Sequence, residues 1–157
     1  MILTSLSRRG IVFLAAGGSA VLLAAGLIFQ AFGYAPCDLC IVQRWPHVAA
    51  VAIGVVALLW RPADWLIWLG ALAAATTGAV GVFHTGVERK WWPGPDTCTS
   101  GPIGGVSTQD LMAQILSAPL VRCDQPAFEV FGISMATMNA VASFALVAIW
   151  VWSLRRV

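Results

Sequence analysis

Pro36-Cys37-Asp38-Leu39-Cys40-Ile41-Val42-Gln43-Arg44-Trp45-Pro46-His47 marks the point where a polar loop re-enters a long apolar run. Crossing a hydrocarbon core takes roughly 20 apolar residues in a helix. The charge-free part of the run, 45–60, would rise only about 24 Å at 1.5 Å per residue. A full span over residues 41–60 therefore draws Arg44 into its first turn, at the membrane interface. Cys40 then falls at or just before the helix start, where unpaired N–H groups and the positive end of the helix dipole stabilise an anion. Arg44, four residues on, shares that face. Of the two thiols, Cys40 is expected to be the one that ionises. Pro46 removes a backbone hydrogen bond, a small loss in the first turn or so of a membrane helix, where it can be re-satisfied.

Outward from this stretch, three further runs are long enough to cross and carry no charge: 10–29, 65–83 and 133–152. The chain of 157 residues is 59% hydrophobic and 10% charged, with a mean hydropathy of +0.84, outside the range of soluble domains. The expected fold is an all-α membrane protein, a four-transmembrane-helix bundle forming one membrane domain over 1–157. Two outer loops, 30–40 and 84–132, complete it. Arg8 and Arg9 ahead of the first run also fit a signal peptide, but the run exceeds a signal core and Pro36 spoils a small-residue cleavage site. It is read as a retained helix. The four residues Arg61 to Asp64 force an antiparallel hairpin. Ala16, Ala20 and Ala24, with Gly70, Ala74 and Gly78, suit close helix packing, and Asn139 suits an interhelical hydrogen bond. Trp60, Trp65, Trp68, Trp91, Trp92 and Trp152 are expected as interfacial anchors.

Arg8, Arg9, Arg61, Arg155 and Arg156 occupy the short segments at one end, which marks that end as cytoplasmic. Both outer loops then face the periplasm, and they hold all four cysteines, Cys37, Cys40, Cys98 and Cys123. Disulfides persist in such a compartment. The net charge of +2 is too small and scattered for a nucleic-acid footprint. In the long loop, Pro93, Gly94 and Pro95 turn the chain ahead of Cys98, and Gly101, Pro102, Gly104 and Gly105 keep it irregular. Ser107 with Asp110 then forms a weak capping box for a short helix. Leu111, Met112, Ile115 and Leu116 give that helix an apolar side suited to the membrane surface, and Pro119 ends it.

For Cys37 and Cys40, zinc would need two further ligands, which Cys98 and Cys123 can supply without the spacing of familiar zinc motifs. No metal is expected. A structural disulfide across two residues constrains little chain, whereas reversible redox exchange uses this spacing directly. Between Cys98 and Cys123, a simple structural clamp worth about 3 kcal/mol is open. With no haem or dinucleotide motif, the electron acceptor nearest a bilayer is a lipid-soluble quinone. Arg44 can hydrogen-bond its carbonyl and stabilise developing charge. His84, at the outer end of the third run, can donate to a carbonyl or merely cap the interface. His47 lies roughly on the Cys40 face. Glu88 is a loop carboxylate that can serve His84 or Arg44.

Cys37-Asp38-Leu39-Cys40-Ile41-Val42-Gln43-Arg44 before the second run, Trp92-Pro93-Gly94-Pro95 running into Cys98, and Cys123 followed by Phe131-Gly132-Ile133 before the fourth resemble the bacterial disulfide bond formation protein B (DsbB) family. The resemblance covers nearly the whole chain. It implies that Cys98 and Cys123 oxidise a periplasmic DsbA-like thiol oxidase, with Cys98 forming the mixed disulfide. Interloop exchange through Cys37 and Cys123 would pass electrons to Cys37–Cys40, and Cys40 would deliver them to ubiquinone or menaquinone beside Arg44. A DsbA-like partner is itself a strong oxidant, so its reoxidation needs a strongly pulling acceptor. Alternatives are a vitamin K epoxide reductase-like or specialised thiol oxidase, although in that group the Cys-x-x-Cys comes late in the bundle. A non-enzymatic membrane scaffold with clamped loops is a third.

Overall fold

The computed structural model describes residues 6–99, 107–117 and 121–156. Four long helices, α1 (Arg8–Ala31), α2 (Asp38–Leu59), α3 (Asp64–Glu88) and α5 (Met135–Ser153), are apolar and long enough to cross a membrane. A short α4 (Thr108–Ser117) and a two-stranded hairpin, β1 (Glu129–Val130) with β2 (Ile133–Ser134), lie between α3 and α5. The long helices pack in the cyclic order α1, α2, α3, α5, leaving α1 and α3 diagonal.

Local chemistry sets the ends. Ser7 caps α1 by accepting from Gly10 N, and Ser134 caps α5 by accepting from Thr137 N. The hairpin turns through Phe131 and Gly132, both at positive φ (51° and 76°), as a two-residue hairpin turn requires. Ile133 and Ser134 thus belong to a strand, and the last helix starts two residues later than its apolar run suggests.

Two other boundaries move, with consequences for function. α2 begins at Asp38 because Cys37 caps it, its sulfur accepting from Cys40 N. Arg44 consequently lies about 9 Å along the axis, in the second turn and not the first. Pro46 likewise sits inside a helix that continues through it. Near that proline, Thr77 Oγ1 donates to Gln43 O at 3.0 Å, the kind of neighbouring-helix support that makes membrane prolines tolerable. α3 runs on to Glu88, so His84 and Glu88 are helical and not part of the loop expected from 84.

The core is centred on Trp150, which is fully buried, unlike the outward-facing Trp60, Trp65 and Trp68. Gly70 makes room for it: a Cβ there would meet the indole at 2.6 Å. Gly54 in the same way lets α2 close on Ala16 of α1. At the basic end, Arg8 pairs with Asp64 and Arg9 donates to Trp60 O, joining the α1 start to the α2–α3 turn. Met112 and Leu116 are exposed on α4. The expectations for Gly101, Pro102, Gly104, Gly105 and Pro119, and for the side chains of Asp110, Leu111 and Ile115, lie outside the described residues.

Candidate functional site

All four cysteines gather in one buried cluster at the end of the bundle away from Arg8 and Arg156, packed with Leu39 and Val87. Cys98 and Cys123 form a disulfide, and Cys37 and Cys40 are free thiols. Cys98 is 1% and Cys123 0% exposed, so a partner thiol can reach this bond only if the loop opens. Asp124 ties this loop to the end of α3 through Lys90. Arg122 donates to both oxygens of Asp124 at 2.8 and 2.6 Å, and Lys90, just past α3, donates at 2.5 Å. Arg122 first, then Lys90, keeps the Asp124 carboxyl well below the usual carboxylate range.

Within the Cys-x-x-Cys pair the sulfurs are 2.9 Å apart, with Cys37 Sγ–H donating to Cys40 Sγ. That hydrogen bond, and then burial, pushes the Cys37 thiol up. Cys37 is therefore the protonated partner, and negative charge on the pair falls to Cys40. The Cys40 N–H is directed to the Cys37 sulfur at 3.4 Å, since Cys40 is the third residue of the helix and not its cap.

Cys40 opens onto a cavity of about 300 Å³, walled also by Arg44, His47 and His84. Arg44 is held toward α1: its guanidinium donates to Gln30 Oε1 at 2.7 Å and Gly26 O at 3.2 Å. Phe29, Tyr34 and Phe128 pack edge-on or tilted with centroids 5.1 to 5.8 Å apart, two of them on the cavity wall. His84 is buried, with Nε2 3.6 Å from Cys37 Sγ and 3.8 Å from Glu88 Oε1. Glu88 is itself only 6% exposed and accepts from the Ser134 hydroxyl, not the solvated loop carboxylate its charge suggests. His47 is buried and bonded to Asn139.

The Cys37, Cys40 and His84 ligand atoms lie within 4.8 Å of one another, a soft three-ligand set. A metal-bound histidine donates from its other ring nitrogen to an acceptor. His84 Nδ1 instead faces the donor Nε2 of Gln43 at 2.9 Å, so its proton stays on Nε2 and the second shell does not suit a metal. A quinone head fits better. The cavity wall is mainly apolar and carries, in Arg44, a held guanidinium that can donate to a carbonyl.

Gln30 and Gln43, absent from the sequence-derived site, turn out to hold Arg44 and His84. Their only sequence signal is that each is an amide at the edge of an apolar run.

A family model described as "Disulfide bond formation protein DsbB" matches residues 8–153. An uncharacterized protein of Rickettsia prowazekii (strain Madrid E) is 28% identical over 118 residues, 73% of this chain and 69% of that one. A disulfide bond formation protein B of Verminephrobacter eiseniae (strain EF01-2) is 31% identical over 102 residues, 64% of this chain. The match spans about half (54%) of that relative's length. No solved structure matches. With the family model covering all four long helices and all four cysteines, the chain belongs to the DsbB family of membrane proteins that form disulfide bonds.

Proposed function

We propose that the chain is a protein thiol:quinone oxidoreductase of the bacterial inner membrane. It reoxidises a periplasmic DsbA-like dithiol oxidase and passes the electrons through its two cysteine pairs to membrane ubiquinone or menaquinone. The observation that carries this is the packing of both pairs in one buried cluster whose inner pair opens onto the cavity of Arg44 and His47. The cluster of arginines at the opposite end supports cytoplasmic termini and periplasmic cysteines.

The exchange balances without any outside oxidant. A partner thiolate attacks Cys98 Sγ and releases the Cys123 thiolate, which attacks Cys37 Sγ of an oxidised inner pair and releases Cys40 as thiolate. The partner's second thiol then resolves its mixed disulfide, freeing Cys98, and Cys98 closes back on Cys123. The net result is an oxidised partner and a reduced Cys37–Cys40 pair. Breaking the Cys123–Cys37 bond leaves charge on Cys37, where the Nε2–H of His84 is 3.6 Å away to receive it.

A bound quinone would supply the acceptor for two electrons and two protons from this dithiol. Cys40 would face it, and Arg44 stays aimed because Gln30 and Gly26 O hold it. The test is oxidised protein in nanodiscs with reduced DsbA-like oxidase and short-chain ubiquinone. One quinol should form per partner dithiol consumed, and Cys98→Ser should abolish partner oxidation. Normal partner oxidation by Cys98→Ser would refute the relay.

A further inference from the structure

Glu88 is a buried carboxyl at the end of α3, and among the described residues no Lys or Arg is paired with it. Its side chain is 6% exposed, and its ion-pair partner is His84, 3.8 Å away. That ring is neutral. Gln43 Nε2, whose orientation is set by its donation to Leu39 O at 3.2 Å, occupies Nδ1 and leaves the proton on Nε2. Arg89, the next residue, is engaged with Glu129 of β1 at 3.5 Å and with Gly132 O. The remaining titratable groups near the carboxyl are Cys37 and Cys40 at the start of α2, which line one cavity with it. A buried carboxylate without a cation is costly, and a protonated carboxyl much less so.

A row of hydroxyls provides for both forms. Ser134 Oγ donates to Glu88 Oε2 and lies 3.1 Å from Thr137 Oγ1. Thr137 Oγ1 lies 3.2 Å from Thr85 Oγ1, which donates to Gly81 O at 2.9 Å. A carbonyl only accepts, so the far end is fixed while Ser134 and Thr137 are free to turn. With Glu88 ionised, Ser134 donates to the carboxylate and Thr137 donates to Ser134. With Glu88 protonated, the acid O–H donates to Ser134, Ser134 to Thr137, and Thr137 to Thr85. Every hydroxyl proton has an acceptor in either state.

The reduced inner pair keeps one proton, on Cys37, and carries its negative charge on Cys40. The second proton of the dithiol is held elsewhere. We propose that Glu88 holds it, and that the hydroxyl row through Ser134, Thr137 and Thr85 lets this carboxyl change protonation state inside the bundle. This rests on the quinone-reducing function proposed above. In the step concerned, the Cys37–Cys40 bond forms and two electrons leave the sulfurs for the acceptor. The protons on Cys37 Sγ and on Glu88 complete its two hydroxyls. Negative charge passes from the Cys40 thiolate to the Glu88 carboxylate, and no proton is drawn from solvent. When the pair is next reduced, the carboxylate takes up a proton again.

Glu88 and Glu129 are the only glutamates of the chain, so infrared difference spectra of ¹³C-glutamate protein in nanodiscs, assigned with Glu88→Gln, report this carboxyl. At pH 7 and without quinone, protein reduced at Cys37–Cys40 should show the C=O band of a protonated Glu88, and diamide-oxidised protein should not. Thr137→Val removes the acceptor that Ser134 needs only when Glu88 is protonated. It should lower the pH midpoint of the band by about half to one unit, and Thr137→Ser should restore it. In an anaerobic single turnover with short-chain ubiquinone and a pH indicator, wild type should draw no proton from solvent, and Glu88→Gln one per quinol. The same Glu88 protonation in both redox states, or one solvent proton per quinol in wild type, overturns the proposal even if the variants do not fold. Those outcomes with normal quinone turnover leave the proposed function standing, whereas a wild type that reduces no quinone removes the function and the inference together.

Discussion

Replacing Asp124 by Asn should unlatch the loop that buries the Cys98–Cys123 disulfide. The carboxylate side chain is 10% exposed and takes hydrogen bonds from Arg122 and Lys90, whose side chains are 35% and 63% exposed. Hydrogen bonds to buried charges contribute about 1.5–3 kcal/mol and exposed ion pairs about 0–1 kcal/mol. Arg122, two residues from Asp124, keeps its pair when the loop moves, so the latch is the bond from the largely solvated Lys90, and the loss is about 0.5–1 kcal/mol. If attack requires opening, the open population rises roughly 2- to 5-fold. The assay is the rate at which excess dithiothreitol reduces Cys98–Cys123 at fixed pH, followed by mass after alkylation. Because the native carboxyl is held well below its usual range, its stabilisation is complete above the unfolded value and is lost only as pH falls through the native one. The ratio of variant to wild-type rates should therefore stay constant between pH 5 and 8. Equal rates would refute the latch.

In reduced protein at pH 8, Cys37 should be alkylated at least tenfold more slowly than Cys40, because donation to Cys40 and burial push its thiol up; equal labelling on peptide mapping would contradict this. Gln30→Leu frees Arg44 from its α1 anchor and should raise the KM for short-chain ubiquinone about tenfold, the loss of one charge-assisted hydrogen bond, with a smaller effect on kcat. Trp150→Ala empties the centre of the core and should cost about 3–5 kcal/mol by denaturant titration in mixed micelles. A loss below about 1 kcal/mol would show that Gly70 and its neighbours collapse into the space.

The four long helices were legible because charge-free runs of this length have few other uses, and the order of the cysteines among them pointed to the family. The ends were less legible. A thiol cap at Cys37 moves the start of α2 back, and His84 and Glu88 read as loop residues until Gln43 and Ser134 are seen to satisfy them inside the bundle. Those partners lie 41 and 46 residues away, a register between helices that no local pattern encodes. Nothing local singles out Trp150 as the inward-facing tryptophan, because composition marks depth along a helix better than direction around it. Gln30 was illegible for a related reason: its importance follows from the rotation that brings it to Arg44.

The central claim is that Cys40 is the outlet to the quinone. Protein reduced at Cys37–Cys40 should be mixed anaerobically with one equivalent of short-chain ubiquinone and the quinol followed by its absorption in a single turnover. Wild type should form one quinol per dithiol, and Cys40→Ser none above the uncatalysed rate. Quinol formation by Cys40→Ser at the wild-type rate would contradict the account.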